Sequence, residues 1–68
     1  MDMKAIVREL IRLRTSNDYS QALMAKQLNL PLDYLKSIET NKRNPRLGIL
    51  IDWLDYLGYE IEIKKKGN

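Results

Sequence analysis

The chain has 68 residues, of which 44% are hydrophobic, so its length and composition predict a single domain with a thin core. It contains neither cysteine nor histidine, which excludes disulfide bonds, thiolate nucleophiles, imidazole acid–base catalysis and the usual zinc sites. The net charge is +3, with five basic and two acidic residues in 20–46 but four acidic and no basic residues in 47–63.

Two helices are predicted in the first half of the chain. Residues 3–14 carry apolar side chains at helical spacing, and Asp2 is placed to cap this helix. After a short polar run, Ser20 is placed to cap a second helix over residues 21–28. Asn29 follows where the chain must turn sharply, so we expect it in the left-handed conformation that helix ends often require.

Two further helices are predicted after this turn. The third covers residues 32–40 and turns Leu35 and Ile38 toward the core, leaving a polar outer face. A basic loop, residues 41–45, ends in Pro45 and separates the third helix from the fourth. The fourth helix is predicted over residues 46–57. We expect the fourth helix to present five apolar side chains to the core, namely Leu47, Leu50, Trp53, Leu54 and Leu57. The predicted fold class is therefore all-α, with four helices.

The end of the chain shows a different pattern. Apolar and charged residues alternate over residues 59–64, which predicts a half-buried strand. A single strand has unpaired backbone groups on both edges, so its expected partner is the same strand of a second copy, with Tyr59, Ile61 and Ile63 covering the helices. This pairing predicts a homodimer. The alternative is a frayed tail in a monomer.

The segment YSQALMAKQLNLPLDYLKSIETNKRNP, residues 19–45, resembles the helix-turn-helix of the Cro/C1 (XRE) family. The resemblance is close over these residues and looser over the whole chain. It implies a four-helix domain like that of lambda repressor over residues 1–58, with the helix-turn-helix at about residues 20–40. Residues 59–68 would then form the dimerisation strand and a basic tail, similar to the strand of antitoxin members.

The resemblance implies two groups of residues that bind double-stranded DNA. Side chains of the third helix would face the base edges, and these are Leu32, Asp33, Tyr34, Lys36 and Ser37. Others would contact the DNA backbone, and these are Ser20, Gln21, Thr40, Asn41, Lys42, Arg43, Asn44 and Arg46. The structural alternative for any of these side chains is a plain solvated surface.

Other matched positions are structural. The family ties its first and third helices together with a buried ion pair, which Arg14 and Glu39 would form here. Ala25 is the small residue that lets the two helices of the motif cross closely. The chain departs from the family pattern at Pro31, where Ser or Thr is usual, and at Asn29 and Asn41, where Gly is usual. Polar residues are also usual where Ala22 and Leu23 stand.

The predicted function is an autorepressor that binds an inverted repeat at its own promoter as a homodimer. Such minimal regulators occur in prophages, toxin–antitoxin pairs and operons of mobile elements, and the sequence does not choose among them. An enzyme is disfavoured because no paired carboxylates, glycine-rich phosphate loop or metal-ligand cluster occurs, and no cofactor is expected. The main alternative is a protein-interaction module, such as an antitoxin that neutralises a toxin. Without a long apolar run or a signal-like start, we expect a cytoplasmic, nucleoid-associated protein with no membrane or metal partner.

Overall fold

A computed structural model describes residues 2–67 of the chain. It contains four helices, α1 (Met3–Ser16), α2 (Gln21–Gln27), α3 (Leu32–Glu39) and α4 (Leu47–Tyr56), and no strand in the part described. The predicted all-α class is thereby confirmed. None of the described helices is long and apolar enough to cross a membrane.

The helix starts follow the predicted caps. The carboxylate of Asp2 accepts a hydrogen bond from the backbone N–H of Ala5 at 2.8 Å, and the hydroxyl of Ser20 accepts from that of Leu23 at 3.0 Å. Helix α1 runs two residues further than predicted, to Ser16. The hydroxyls of Thr15 and Ser16 donate to carbonyls one turn earlier, at 2.9 and 3.1 Å, so these polar residues remain helical.

All four helices end in the same way, with a residue in the left-handed conformation just after the last turn. These residues are Asp18, Asn29, Asn41 and Gly58, with φ of 59°, 58°, 62° and 87°. In each case two N–H groups after the helix fold back onto its last carbonyls; after α2, Asn29 donates to Lys26 at 3.1 Å and Leu30 to Ala25 at 2.9 Å. This is the Schellman arrangement, which satisfies carbonyls that would otherwise lack partners.

The core draws side chains from all four helices. Six of its largest side chains are almost fully buried, and these are Val7, Leu10, Met24, Leu35, Ile38 and Trp53. The prediction for α4 was wrong at one position, because Leu47 is 66% exposed. It lies in the first turn of α4 at the rim of an apolar groove of about 520 Å³ between α1 and α4, and no described element covers it there.

The strand predicted for residues 59–64 is not formed in the single chain, where residues 59–67 are neither helix nor strand. A strand needs hydrogen bonds to a neighbour, and one chain supplies no neighbour. The predicted cover of the helices is also incomplete: Ile61 lines the groove, but Tyr59 and Ile63 are 51% and 96% exposed. The last residue of the predicted tail, Asn68, lies outside the described residues.

Candidate nucleic-acid interface

Helices α2 and α3 pack against each other across a four-residue turn. Leu35 and Ile38 anchor α3 in the core, and Ala25 of α2, 2% exposed, belongs to the same buried cluster. A small side chain at this position allows the helix axes to approach closely. The outer side of α3 is left facing solvent.

A buried hydrogen-bond network fixes how α3 sits on α1. The guanidinium of Arg14 donates from Nε to Oε2 of Glu39 at 2.7 Å and from Nη2 to Oε1 at 2.9 Å. Its third nitrogen, Nη1, donates to the backbone carbonyl of Tyr19 at 2.8 Å, just before α2. Arg14 and Glu39 are only 8% and 9% exposed, so both charges depend on this geometry for compensation.

Gln21 is the fourth member of this network. Its side-chain amide donates to Oε1 of Glu39 at 3.0 Å, so one of its N–H groups is already used inside the protein. The sequence assigned Gln21 to a DNA phosphate and missed this bond. Gln21 and Glu39 are 18 positions apart on different helices, and helical spacing carries no signal for such a contact. Only the second N–H and the carbonyl oxygen of this amide are left for a ligand.

The predicted base-facing residues lie together on the outer side of α3. Asp33 and Lys36 are exposed, Leu32 is just over one-third exposed, and Tyr34 and Ser37 are half-buried. The Ser37 hydroxyl donates to the carbonyl of Tyr34 at 2.6 Å, which leaves its oxygen free to accept a hydrogen bond. This face therefore offers an apolar contact, two acceptors and one cation to a ligand.

The loop after α3 holds most of the predicted backbone contacts. Its path is set by the left-handed Asn41 and by two N–H groups, of Lys42 and Arg43, that donate to the carbonyl of Ser37 at 2.9 and 3.2 Å. Six predicted residues are exposed here, namely Thr40, Asn41, Lys42, Arg43, Asn44 and Arg46. The Thr40 hydroxyl already donates to the carbonyl of Lys36 at 2.9 Å. Contact of that hydroxyl proton with a phosphate would require this bond to be exchanged.

Two aromatic contacts of the motif were not predicted. The guanidinium carbon of Arg43 lies 4.5 Å from the ring centroid of Tyr34, a cation–π arrangement that joins the loop to α3. The rings of Tyr19 and Tyr56 lie 5.4 Å apart at 50°, which connects the start of α2 to the end of α4. The two partners of each pair lie on different elements, nine positions apart in the first pair and 37 in the second, so periodicity gives no sign of either contact.

The charges around the motif are unevenly placed. Lys36, Lys42, Arg43 and Arg46 are exposed on α3 and its loop, whereas Asp52 and Asp55 are exposed on α4. On α1, a hydrogen bond from the exposed Arg12 guanidinium lowers the pKa of the Glu9 carboxyl, and the same bond raises the pKa of Arg12. Within residues 2–67, no group of three or more acidic side chains could hold a metal ion.

Comparison with known proteins gives one match. The model of the helix-turn-helix family matches residues 10–64 of the chain, which include α2, α3, the basic loop and α4. No curated protein and no solved structure matches it.

Proposed function

The chain belongs to the Cro/C1 (XRE) family of helix-turn-helix regulators, which bind DNA and are not enzymes, and within that family we propose that it is a repressor acting as a homodimer. The observation that carries this proposal is the outer face of α3, which is joined to α1 by the Arg14–Glu39 ion pair and flanked by the basic loop. The proposed target is an inverted-repeat operator at its own promoter. Occupation of that site would exclude RNA polymerase.

The chemistry of the side chains on this surface suggests which would contact bases and which would contact phosphates. In the major groove, Leu32 suits the methyl group of thymine and Asp33 the amino group of cytosine, each discriminating by about 1–3 kcal/mol. Lys42 and Arg46, exposed on the loop, suit phosphates, which supply affinity without sequence information. The backbone amides and the side-chain amide of Gln21 at the start of α2 would meet a further phosphate.

The homodimer is proposed from the uncovered apolar residues at the end of the chain. Tyr59, Ile61 and Ile63 are all exposed and alternate with charged residues, and Ile61 lines the open groove together with Leu47. An antiparallel strand pair about a two-fold axis would supply the missing backbone partners and bury these side chains. The α3 helices of the two protomers would then bind half-sites about one helical turn of DNA, ~34 Å, apart.

Two registers pair five residues of the predicted strand 59–64, one with the two-fold axis through Ile61 and one with it through Glu62, and charge favours one of these two. If the two-fold axis passes through Ile61, Glu60 of each chain faces Glu62 of the other, which places like charges opposite each other twice. If it passes through Glu62, Glu60 faces Lys64 twice and Ile61 faces Ile63 twice, and only the two Glu62 side chains repel. Opposite charges across a strand pair stabilise it and like charges destabilise it. We therefore favour the register centred on Glu62.

The test is footprinting of the purified protein on the DNA upstream of its own gene, together with transcription from that promoter in vitro. We expect one protected region containing an inverted repeat, and transcription that falls as the region fills. Protection without loss of transcription would contradict repression but not DNA binding. No protection at moderate salt would contradict both.

The acidic side of the molecule favours one alternative, a module that neutralises a protein partner such as a toxin. Asp52 and Asp55 on α4 are exposed beside Ile51 and Tyr56, which are 41% and 38% exposed, so this surface combines negative charge with apolar area. Such a surface suits a basic partner protein. Substitution of Asp52 and Asp55 by Asn would abolish partner neutralisation and leave the footprint intact if this function operates. The place of action proposed for either function is the cytoplasm.

A further inference from the structure

We propose that Arg43 reads a guanine base in each half-site, held in position by the ring of Tyr34, rather than contacting the DNA backbone. The inference rests on the proposed function and names a specificity-determining residue for it. The observation behind it is the contact between the Arg43 guanidinium and the Tyr34 ring at 4.5 Å. The sequence alone placed no arginine on the base-facing side of α3.

The position of the guanidinium follows from two constraints. Tyr34 is in the first turn of α3, one turn before Ser37, so its ring belongs to the face predicted to meet the bases. The backbone N–H of Arg43 donates to the carbonyl of Ser37 at 3.2 Å, which pins the loop to the end of that helix. Between these two anchors, the guanidinium lies over α3 itself instead of extending away from it.

The arginine is also free to bind. Arg12 and Arg14 are engaged by Glu9 and Glu39, whereas within residues 2–67 the guanidinium of Arg43 makes no hydrogen bond or ion pair with another side chain. A guanidinium stacked through its face keeps its N–H groups available at its edge. That edge matches O6 and N7 of guanine, which together accept two parallel hydrogen bonds.

The contact with Tyr34 also reduces the conformational entropy that the Arg43 side chain loses on binding DNA. A free arginine side chain carries about 2 kcal/mol of rotamer entropy, part of which is lost when it is fixed on a base. Contact with Tyr34 removes some of that freedom before DNA arrives. Lys42, the neighbouring cation, has no such contact among the described residues and is exposed, which suits a mobile phosphate contact.

The experiment measures dissociation constants for the duplex enriched from a random pool and for a set of duplexes with each base pair of one half-site changed in turn. For the unmodified protein we expect one G·C pair whose replacement weakens binding about 5- to 150-fold. For R43A this preference should disappear, while preferences at the other positions remain. Lys42→Ala is the matched control and should weaken all duplexes by the same factor.

Two more variants distinguish recognition of the guanine base from the effect of the positive charge alone. R43K keeps the charge but loses the planar fork, so most of the preference for guanine should be lost. Tyr34→Leu keeps an apolar side chain but removes the stack, and it should reduce the preference without removing it. Melting curves show whether each variant folds.

Two outcomes would overturn the inference. If Arg43→Ala weakens binding to every duplex equally, Arg43 is a backbone contact and the repressor proposal stands unaffected. If the unmodified protein enriches no sequence from the pool, the proposed function fails and this inference fails with it.

Discussion

The guanidinium of Arg14 donates to both carboxylate oxygens of Glu39, 25 positions further along the chain, and both residues are buried. Because Arg14 also donates to the carbonyl of Tyr19, this one ion pair fixes α1, the entry to α2 and the end of α3 relative to one another. The outer face of α3 is therefore held in place by two charges that are themselves buried.

Breaking this pair should destabilise the fold. Removing one partner of a buried ion pair leaves the other uncompensated, at a cost of about 3–5 kcal/mol. We expect Glu39→Gln and Arg14→Met each to lose this amount, a large share of the stability of a small domain. The double variant should lose less than the sum of the two. Denaturant titration followed by the fluorescence of Trp53, the buried single tryptophan, measures these losses.

The exposed pair of Glu9 and Arg12 provides the control for that experiment. Its side chains are 56% and 62% exposed, so the same substitutions, Glu9→Gln and Arg12→Met, should leave the unfolding midpoint almost unchanged. Equal losses at the two pairs would contradict the role assigned to Arg14 and Glu39.

The left-handed residue at the end of α2 should tolerate glycine and reject alanine. Asn29 has φ of 58°, a conformation that costs an L-residue roughly 1–2 kcal/mol and asparagine less. We expect Asn29→Ala to lower the free energy of unfolding by about 1 kcal/mol and Asn29→Gly to leave it equal or higher. Asn44→Ala is the control, since Asn44 is exposed and its φ is negative. A loss with glycine as large as that with alanine would contradict this reading.

The sequence predicted what depends on local pattern. The caps at Asp2 and Ser20, the turn at Asn29 and the burial of Leu35 and Ile38 each follow from a residue and its near neighbours, and each is present. The burial of Leu47 was predicted wrongly because helical spacing gives the side of a helix but not whether anything covers it.

Contacts between distant side chains were harder to predict. The network of Gln21 with Glu39 and the stack of Arg43 on Tyr34 depend on how α1, α2, α3 and the loop meet in space. The strand predicted for residues 59–64 is not formed in the single chain, and its hydrogen-bond partner would have to come from the proposed second chain.

Lys42 should contribute affinity without selectivity. A lysine that neutralises one phosphate releases counterions, so Lys42→Ala should flatten the slope of log K against log salt by about one unit. We expect the same loss for every duplex, measured by fluorescence anisotropy at several salt concentrations. Arg12→Ala should leave the slope unchanged because Arg12 lies on α1, which carries none of the predicted DNA contacts. A loss restricted to one operator base would contradict the assignment.

The register proposed for the dimer can be tested by exchanging charges. Lys64→Glu would place a carboxylate opposite Glu60 of the partner and should raise the dimer dissociation constant, while Glu60→Lys in the same chain should restore it. Lys66→Glu makes the same charge change opposite Gly58 and should have little effect. Sedimentation equilibrium at micromolar concentration measures these constants. If the exchanged pair fails to recover, the axis does not pass through Glu62.

We propose that the outer face of α3, flanked by the basic loop, recognises a specific DNA sequence. The most direct measurement is selection by the purified protein from a pool of random duplexes at moderate salt, followed by sequencing. We expect one enriched inverted repeat with half-sites about 34 Å apart, and its loss when Asp33 and Ser37 are replaced by Ala. An unselected pool after repeated rounds, with the protein folded and dimeric, would contradict the claim.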